Sequence, residues 1–296
     1  MNRNIIFVSD YFDNEVRRGA ELCNGALLFY LDNPQTFESH KLLHIDSTKF
    51  YIITNFVNLP ERTKEQLIKY KNYLIYEHDH KYILTRNPFL LPTGHENPSG
   101  LVPHEHKINL EFYKNAQIVI CQTGWHERQL SKNVDCLTTN IHGSFYLPED
   151  LDLIESLYIP PLKRINKYAF FNDAEFITLA DGRVLNQGNN IKNKKAALQH
   201  CIDNKYPYMP IPRLNNKVNF WKTIAKYQHF IFFPDIPETC SRLLIEAKML
   251  GVDVITNNNS GAYWEDWFKL KDKELINEFR TKIIPNAVNL FKEYLN

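Results

Sequence analysis

Short apolar runs alternate with amphipathic stretches along most of the chain, and this alternation predicts the elements. Residues 5–9 (IIFVS) read as a buried strand, and 18–30 (RGAELCNGALLFY) as a helix with small residues on one face. Residues 51–55 and 73–77 are two further strands, separated by the charged amphipathic helix ERTKEQLIKYK. Residues 85–107, rich in proline and glycine and carrying three histidines, predict a long loop. A strand over 117–122, a short helix over 125–130 and a strand over 134–141 follow. Residues 147–166 hold a Pro-Pro pair and no strong strand, which predicts a connection. The alternation then restarts. Strands are expected at 168–171, 207–211 (weak), 229–234 and 252–257, and helices at 192–203, 217–227 and 241–250. The tail from 272 onward is helical, with Pro285 as a break.

Strands alternating with helices imply parallel βαβ units in doubly wound sheets. The fold class expected is therefore α/β with two Rossmann-like domains. The first spans 1–150, a linker 151–166, the second 167–280, and a last helix at 281–296 is expected to return to the first domain. A length of 296 residues agrees with two domains. In such sheets ligands bind beyond the carboxyl ends of the strands, so residues following strands are the candidates for chemistry.

Charge and cysteine content narrow the function. Lys plus Arg is 35 against 34 Asp plus Glu, a net +1. That excludes a protein that coats nucleic acid by charge alone, although a local basic groove is compatible with it. The five cysteines are scattered, odd in number and without a CxxC, the pattern of reduced thiols in a cytoplasm. No signal segment is expected at the start, and no apolar run approaches the ~20 residues that span a bilayer.

Three stretches carry candidate chemistry. In FFPDIPETCSRLLIEAKMLGVDVITNNNSGA, Glu238 follows an apolar strand and Glu246 lies eight positions on, along the next helix. A helix N-terminus suits a diphosphate. A carboxylate in the loop suits sugar hydroxyls, and one on the helix suits a ribose diol. The plainer alternative is a solvated loop residue and a helix-face residue. In YLIYEHDHKYILTRNP a strand ends in Glu77-His78-Asp79-His80, where Asp79, with His78, could position or deprotonate an acceptor hydroxyl. The third stretch holds His95, His104 and His106. It reads as a mobile acceptor loop rather than a metal site, because no Cys or carboxylate set completes one. Gln122, Thr123 and His126 follow another strand and are expected to face the cleft, while Trp125 reads as a packed aromatic or an acceptor platform.

The segment from Glu238 resembles the donor site of retaining GT-B glycosyltransferases of the large family 4 type. Glu238 and Glu246 match its E-x(7)-E, and Ala247 and Gly251 fall in register. Thr239-Cys240-Ser241 replaces that family's Gly-rich turn. The resemblance implies the GT-B arrangement, two Rossmann-like domains facing across a cleft. It places Glu238 at the donor sugar and Glu246 at the ribose. Lys192 would lie at the diphosphate with Arg183 as its partner, and Ser260 and Gly261 in the loop from Asn257 to Ala262 beside them. Gly19-Ala20-Glu21 preserves the end of the family's G-G-A-E, with Arg18 where the first glycine stands; Gly19 would face a phosphate and Glu21 the acceptor.

His78-Asp79-His80 with Arg86-Asn87 is similar to a stretch of the phage DNA α-glucosyltransferases, which act on 5-hydroxymethylcytosine. That resemblance implies Asp79 in catalysis; His78 and Glu238 are the further catalytic candidates, and His80 and Arg86 are candidates at the acceptor. Arg17, Arg18, Lys81 and Arg86 are the candidates for a basic groove. The expected activity is transfer of a sugar, with retention, from a nucleotide sugar such as a UDP-sugar to a hydroxyl of phage DNA. No metal or other cofactor and no membrane partner is expected. The competing readings are a glycan or small-molecule acceptor, and a non-catalytic nucleotide-sugar or nucleic-acid binding module.

Overall fold

The computed structural model describes residues 4–12, 19–172, 176–178, 184–186, 193–212 and 216–295. They gather into two compact units. One holds residues up to Leu147 together with Arg280–Asn296, and the other holds Pro148–Phe279.

The first unit runs β1 (Ile5–Ser9), α1 (Gly19–Tyr30), β2 (Gln35–Glu38), β3 (Phe50–Ile53), α2 (Glu61–Tyr70), β4 (Tyr73–Tyr76), α3 (Leu110–Lys114), β5 (Val119–Cys121), α4 (Gly124–Ser131) and β6 (Thr138–Asn140). The strands form one parallel sheet in the order β2-β1-β3-β4-β5-β6. Every residue of β3, β4 and β5 is buried, as expected for strands covered on both faces. Helix α2 ends where Lys71 adopts a left-handed φ of 53°, with its amide bonded back to the Leu67 carbonyl. The core below the sheet is aromatic, with Tyr73 stacked on Phe112 at 4.8 Å and Phe56 edge-on to Phe112 at 5.1 Å.

The second unit runs α5 (Pro148–Ser156), β7 (Ile165–Phe171), β8 (Phe176–Thr178), β9 (Val184–Asn186), α6 (Lys194–Asp203), β10 (Tyr208–Ile211), α7 (Lys217–Ile224), β11 (Tyr227–Phe232), α8 (Arg242–Met249), β12 (Asp253–Thr256) and α9 (Asp272–Glu278). Its main sheet is parallel, in the order β10-β7-β11-β12, and β8 and β9 pair as an antiparallel hairpin. The two sheets share a grammar. The second strand of each lies outside the first, and the third on the other side. The strand order therefore reverses between β1 and β3 in one unit and between β7 and β11 in the other, the positions where doubly wound sheets bind ligands.

The α/β class with two doubly wound sheets is as the sequence predicts. Four details differ. Strand β2 is polar and half exposed, so no apolar run announces it. Short helix α3 follows the long loop without a periodic signal of its own. The stretch expected as a linker contains α5, whose Asp150 accepts from Lys217 at 2.7 Å within the second unit. Pro285 does not break the tail. It is the second residue of α10 (Ile284–Leu295), just after a π-turn over Phe279–Ile283. A proline lacks the N–H that an α-helical register would use, and sits well near a helix start.

Helix α10 closes the first unit, with Phe291 packing edge-on against Tyr76 at 5.4 Å and Phe145 at 5.9 Å. Among the described residues no helix is long and apolar enough to cross a membrane.

Candidate functional site

In the first unit the carboxyl ends of β1, β3 and β4 are joined by one side chain. Asn24, on α1 and fully buried, donates through Nδ2 to Ser9 Oγ at 3.3 Å and Thr54 Oγ1 at 3.0 Å. Its Oδ1 meets His78 Nε2 at 2.7 Å. Glu21, one turn earlier on the same helix face, is also buried and accepts from Asn55 Nδ2 at 3.5 Å. Gly19 lies exposed at the helix start.

The residues after β4 form a dense charged network. Glu77 is fully buried. It accepts from Lys81 Nζ at 2.6 Å, from the Asp79 amide at 3.2 Å and from the Tyr113 hydroxyl. Lys81 also lies 2.8 Å from Asp79 Oδ1, and the Arg86 guanidinium takes Asp79 Oδ2, with Nε at 2.6 Å. Burial pushes the Glu77 carboxyl up to about 7, against the pull of Lys81. Burial would raise Asp79 too, but Lys81 and Arg86 outweigh it and hold that carboxyl below the usual range. Asp79 thus keeps its charge and is a weak base. Arg86 sits at a left-handed φ of 58° and remains half exposed.

Two histidines pack beneath this network. His126 Nδ1 accepts from the Gln122 amide at 3.3 Å, so Nε2 carries the proton and donates to the Asp79 carbonyl at 2.9 Å. It clamps the loop and does not face a ligand, contrary to expectation. Burial lowers it to about 4, partly offset by that carbonyl. His80 is 1% exposed, ringed by Tyr82, Trp125 and His126. Trp125 stacks on Phe89 at 5.9 Å, which makes it a packed aromatic. Burial keeps His78 and His80 below the ordinary imidazole range, so both are neutral.

Lys81 is buried and therefore not part of an exposed basic groove. The loop over 85–107 is pinned. Asn133 donates to the Tyr82 hydroxyl at 3.1 Å, the Gly100 carbonyl at 2.8 Å and the Gln129 carbonyl at 2.9 Å, and accepts from the Val102 amide at 2.8 Å. The segment expected as an acceptor loop is thus tied down at Gly100 and Val102. Among the described residues no group of three or more His, Cys, Asp or Glu side chains is gathered as around a metal ion.

In the second unit the polar edge is built from the loops after β11 and β12. The Glu238 amide donates to the Asn259 carbonyl at 3.0 Å, and the Gly261 amide to the Glu238 carbonyl at 2.8 Å, so Glu238 pairs with Ser260. Asn257 Nδ2 and Asn259 Nδ2 donate to the Pro234 carbonyl at 3.0 and 3.1 Å. Asn193 caps α6 by accepting from the Ala196 amide at 2.9 Å and donates to Asp235. The backbone around Glu238 is thus fixed from three sides.

Ser241 stands at the N-cap of α8 but makes no capping bond, and its buried hydroxyl has no partner among the described residues. The Ser260 hydroxyl is likewise buried and unpartnered. Glu246, one turn into α8, is buried and accepts from Trp221 Nε1 at 2.8 Å and Arg242 Nε at 3.2 Å. Burial raises its carboxyl, with Arg242 and Trp221 opposing. Lys192 and Arg183, together with Arg17 and Arg18, lie outside the described residues.

Sequence reasoning brought Glu238, Ser260 and Gly261 to one edge, and Glu21, His78, Asp79, His80 and Arg86 to the other. It missed Asn24, Asn133, Trp221 and the Glu77–Lys81 pair. The i, i+3 spacing of Glu21 and Asn24 within an otherwise apolar helix was the signal for the first.

No protein-family model matches the chain, and no curated protein matches it. Solved structures do. The HepE protein of Anabaena, in complex with UDP and glucose, aligns with 12% identity and a TM-score of 0.48, covering 99% of this chain and 95% of that one. The α,α-trehalose 6-phosphate synthase of Burkholderia multivorans aligns with 10% identity and a TM-score of 0.47, covering 96% and 82%. AviGT4, a glycosyltransferase involved in avilamycin A biosynthesis, aligns with 8% identity and a TM-score of 0.46, covering 98% and 96%.

Proposed function

We propose that the chain is a glycosyltransferase of the GT-B type that moves a sugar from a nucleotide sugar, such as a UDP-sugar, to a hydroxyl acceptor. The observation that carries this reading is the edge around Glu238. There a carboxylate-bearing loop is stitched to the 259–261 backbone, beside a helix N-terminus whose cap serine makes no cap bond, with two buried hydroxyls lacking partners among the described residues. A diphosphate supplies the acceptor oxygens that such a terminus and such hydroxyls bind. Glu238 then takes sugar hydroxyls. Glu246, occupied by Trp221 and Arg242, takes the ribose only by sharing an oxygen.

On this reading the sugar is transferred with retention, by front-face attack in which the leaving diphosphate takes the acceptor proton. A helix terminus and Lys192 would stabilise that leaving group. Asp79, paired with Lys81 and Arg86, orients and does not deprotonate. The acceptor we favour is 5-hydroxymethylcytosine in phage DNA, on the resemblance of His78-Asp79-His80 and Arg86-Asn87 to the enzymes that glucosylate it.

The test is nucleotide release from a panel of UDP- and GDP-sugars, with and without duplex DNA containing 5-hydroxymethylcytosine, read also by intact mass of the DNA. A sugar-sized mass gain is expected. Nucleotide release without it moves the acceptor to a glycan or small molecule. No release from any donor overturns the enzyme reading and leaves a binding module.

A further inference from the structure

Of the four tryptophans, Trp221 and Trp267 are buried and Trp125 is stacked on Phe89, but Trp264 is 51% exposed. It ends a 3-10 turn over Gly261–Trp264, directly after the Ser260 that pairs with Glu238. The ring is held. Its Nε1–H donates to the Asn258 carbonyl at 3.0 Å, and Tyr263 stands at 82° to it with 5.6 Å between centroids, so no ring among the described residues lies flat on the indole. The loop that holds it is held in turn. The Asn259 amide donates to Asn257 Oδ1 at 3.1 Å, and Asn259 Nδ2 to the Pro234 and Asp235 carbonyls, each at 3.1 Å. An indole fixed in one orientation, with half its surface in water, is a ready stacking platform: a ligand that covers it gains apolar burial at little further cost in side-chain freedom.

The neighbouring groups select the ring. The Asn258 carbonyl takes the indole and the next one, of Asn259, takes the Glu238 amide, so the platform adjoins the loop assigned above to the donor sugar. Asn258 is exposed, and its side-chain amide makes no hydrogen bond among the described residues, which leaves a group able to donate to hydroxyls and to accept from them. The charged residues of the two runs that meet here, 233–240 and 257–266, are Asp235, Glu238, Glu265 and Asp266, with no lysine or arginine. Such flanks oppose a phosphate-rich strand against the indole and suit a neutral ring edged by hydroxyls. We propose that Trp264 is a platform on which the C–H face of a pyranose ring stacks, with the Asn258 amide for its hydroxyls, the ring being the donor's sugar or a sugar of the acceptor. The donor source rests on the glycosyltransferase reading above; the platform does not.

The experiment is a titration of the full chain, labelled with nitrogen-15 at tryptophan and followed at the indole N–H signals, with Trp264 assigned through Trp264→Phe. The probes are UDP, UDP-glucose, UDP-N-acetylglucosamine, maltotriose and duplex DNA containing 5-hydroxymethylcytosine. A UDP-sugar is expected to move the Trp264 signal where saturating UDP leaves it in place, which assigns the ring to the donor; movement by maltotriose alone assigns it to the acceptor. Trp264→Ala is expected to weaken binding of the sugar-bearing probe about tenfold, the effect of uncovering about 50 Å² of apolar contact, with UDP affinity unchanged. Trp264→Phe should keep most of the affinity, since a ring remains. Movement by UDP alone or by DNA makes the indole a base platform and overturns the proposal, as does a Trp264 signal that no probe moves. An equal loss for UDP and UDP-sugar in Trp264→Ala also overturns it, because a merely structural role predicts that. A Trp264 signal moved by a sugar, with no nucleotide release from any donor, overturns the transferase reading and leaves the platform standing.

Discussion

Replacing Lys81 by methionine should destabilise the first unit strongly and in a pH-dependent way. Lys81 and Glu77 are 1% and 0% exposed at the side chain, with Nζ 2.6 Å from Oε1. Methionine keeps the packing of the stem, which runs past the Phe56 ring, but removes the charge. Removing one partner of a buried pair costs about 3–5 kcal/mol, because the other is left charged in a dry site. For a unit of this size that corresponds to a fall in Tm of about 6–20 °C. Two features refine the figure. Asp79 keeps Arg86, so the loss falls on Glu77. Glu77 sits near pKa 7 even with the lysine in place, so without it the carboxyl is protonated at neutral pH and part of the cost is relieved. The loss should therefore be larger at pH 8 than at pH 5. Differential scanning calorimetry of Lys81→Met, Glu77→Gln and the double variant at both pH values measures it, and the double variant should recover much of the loss. A loss under about 1 kcal/mol in Lys81→Met, or a double variant worse than both single ones, would refute the reasoning.

The remaining predictions concern other elements. His126 is held near 4 against about 6.5 in the unfolded chain, so the unfolded state binds the extra proton between those values. Its contribution, about 3 kcal/mol, is present above pH 6.5 and lost as pH falls to 4; Glu77 acts in the opposite sense as pH rises toward 7, so the comparison of urea melts for wild type and His126→Gln isolates the histidine. Trp221→Phe leaves a buried Glu246 oxygen without its donor and should cost about 1–3 kcal/mol, read by denaturant melts, with weaker UDP binding by calorimetry if the donor site is as proposed. Asn133→Ala removes the side-chain bonds that hold Gly100 and Val102, so the Val102 amide should exchange with deuterium markedly faster while β4 stays protected.

The strands and their parallel pairing were legible because β3 and β4 are continuous apolar runs and β11 ends in one, Phe230–Phe232. Strand β2 was not, since its pairing with β1 comes from position in the sheet and not from its own composition. The site was legible in part for the same reason. Glu238 and Asp79 follow obvious strands, so sequence order places them at the edges. What they bond to was hidden. The ties from Asn24 to His78 and from Trp221 to Glu246 span 54 and 25 positions, and no periodicity encodes a bond across elements. From the sequence the charges after β4 read as a catalytic cluster at the acceptor, with no sign that they would be buried. The next residue but one after Asp79 is the lysine that allows them to be buried.

The path of α10 has a consequence for biosynthesis. Its Phe291 completes an aromatic cluster with Tyr76 and Phe145, yet the whole of another unit, Pro148–Phe279, is translated between Phe145 and α10. Domains generally fold in order as they leave the ribosome. Here the second unit can finish first, while the earlier one waits with an apolar face uncovered until α10 emerges. A stalled or shortened transcript would leave that face open, so the window for chaperone binding during synthesis should fall on the half of the protein made first.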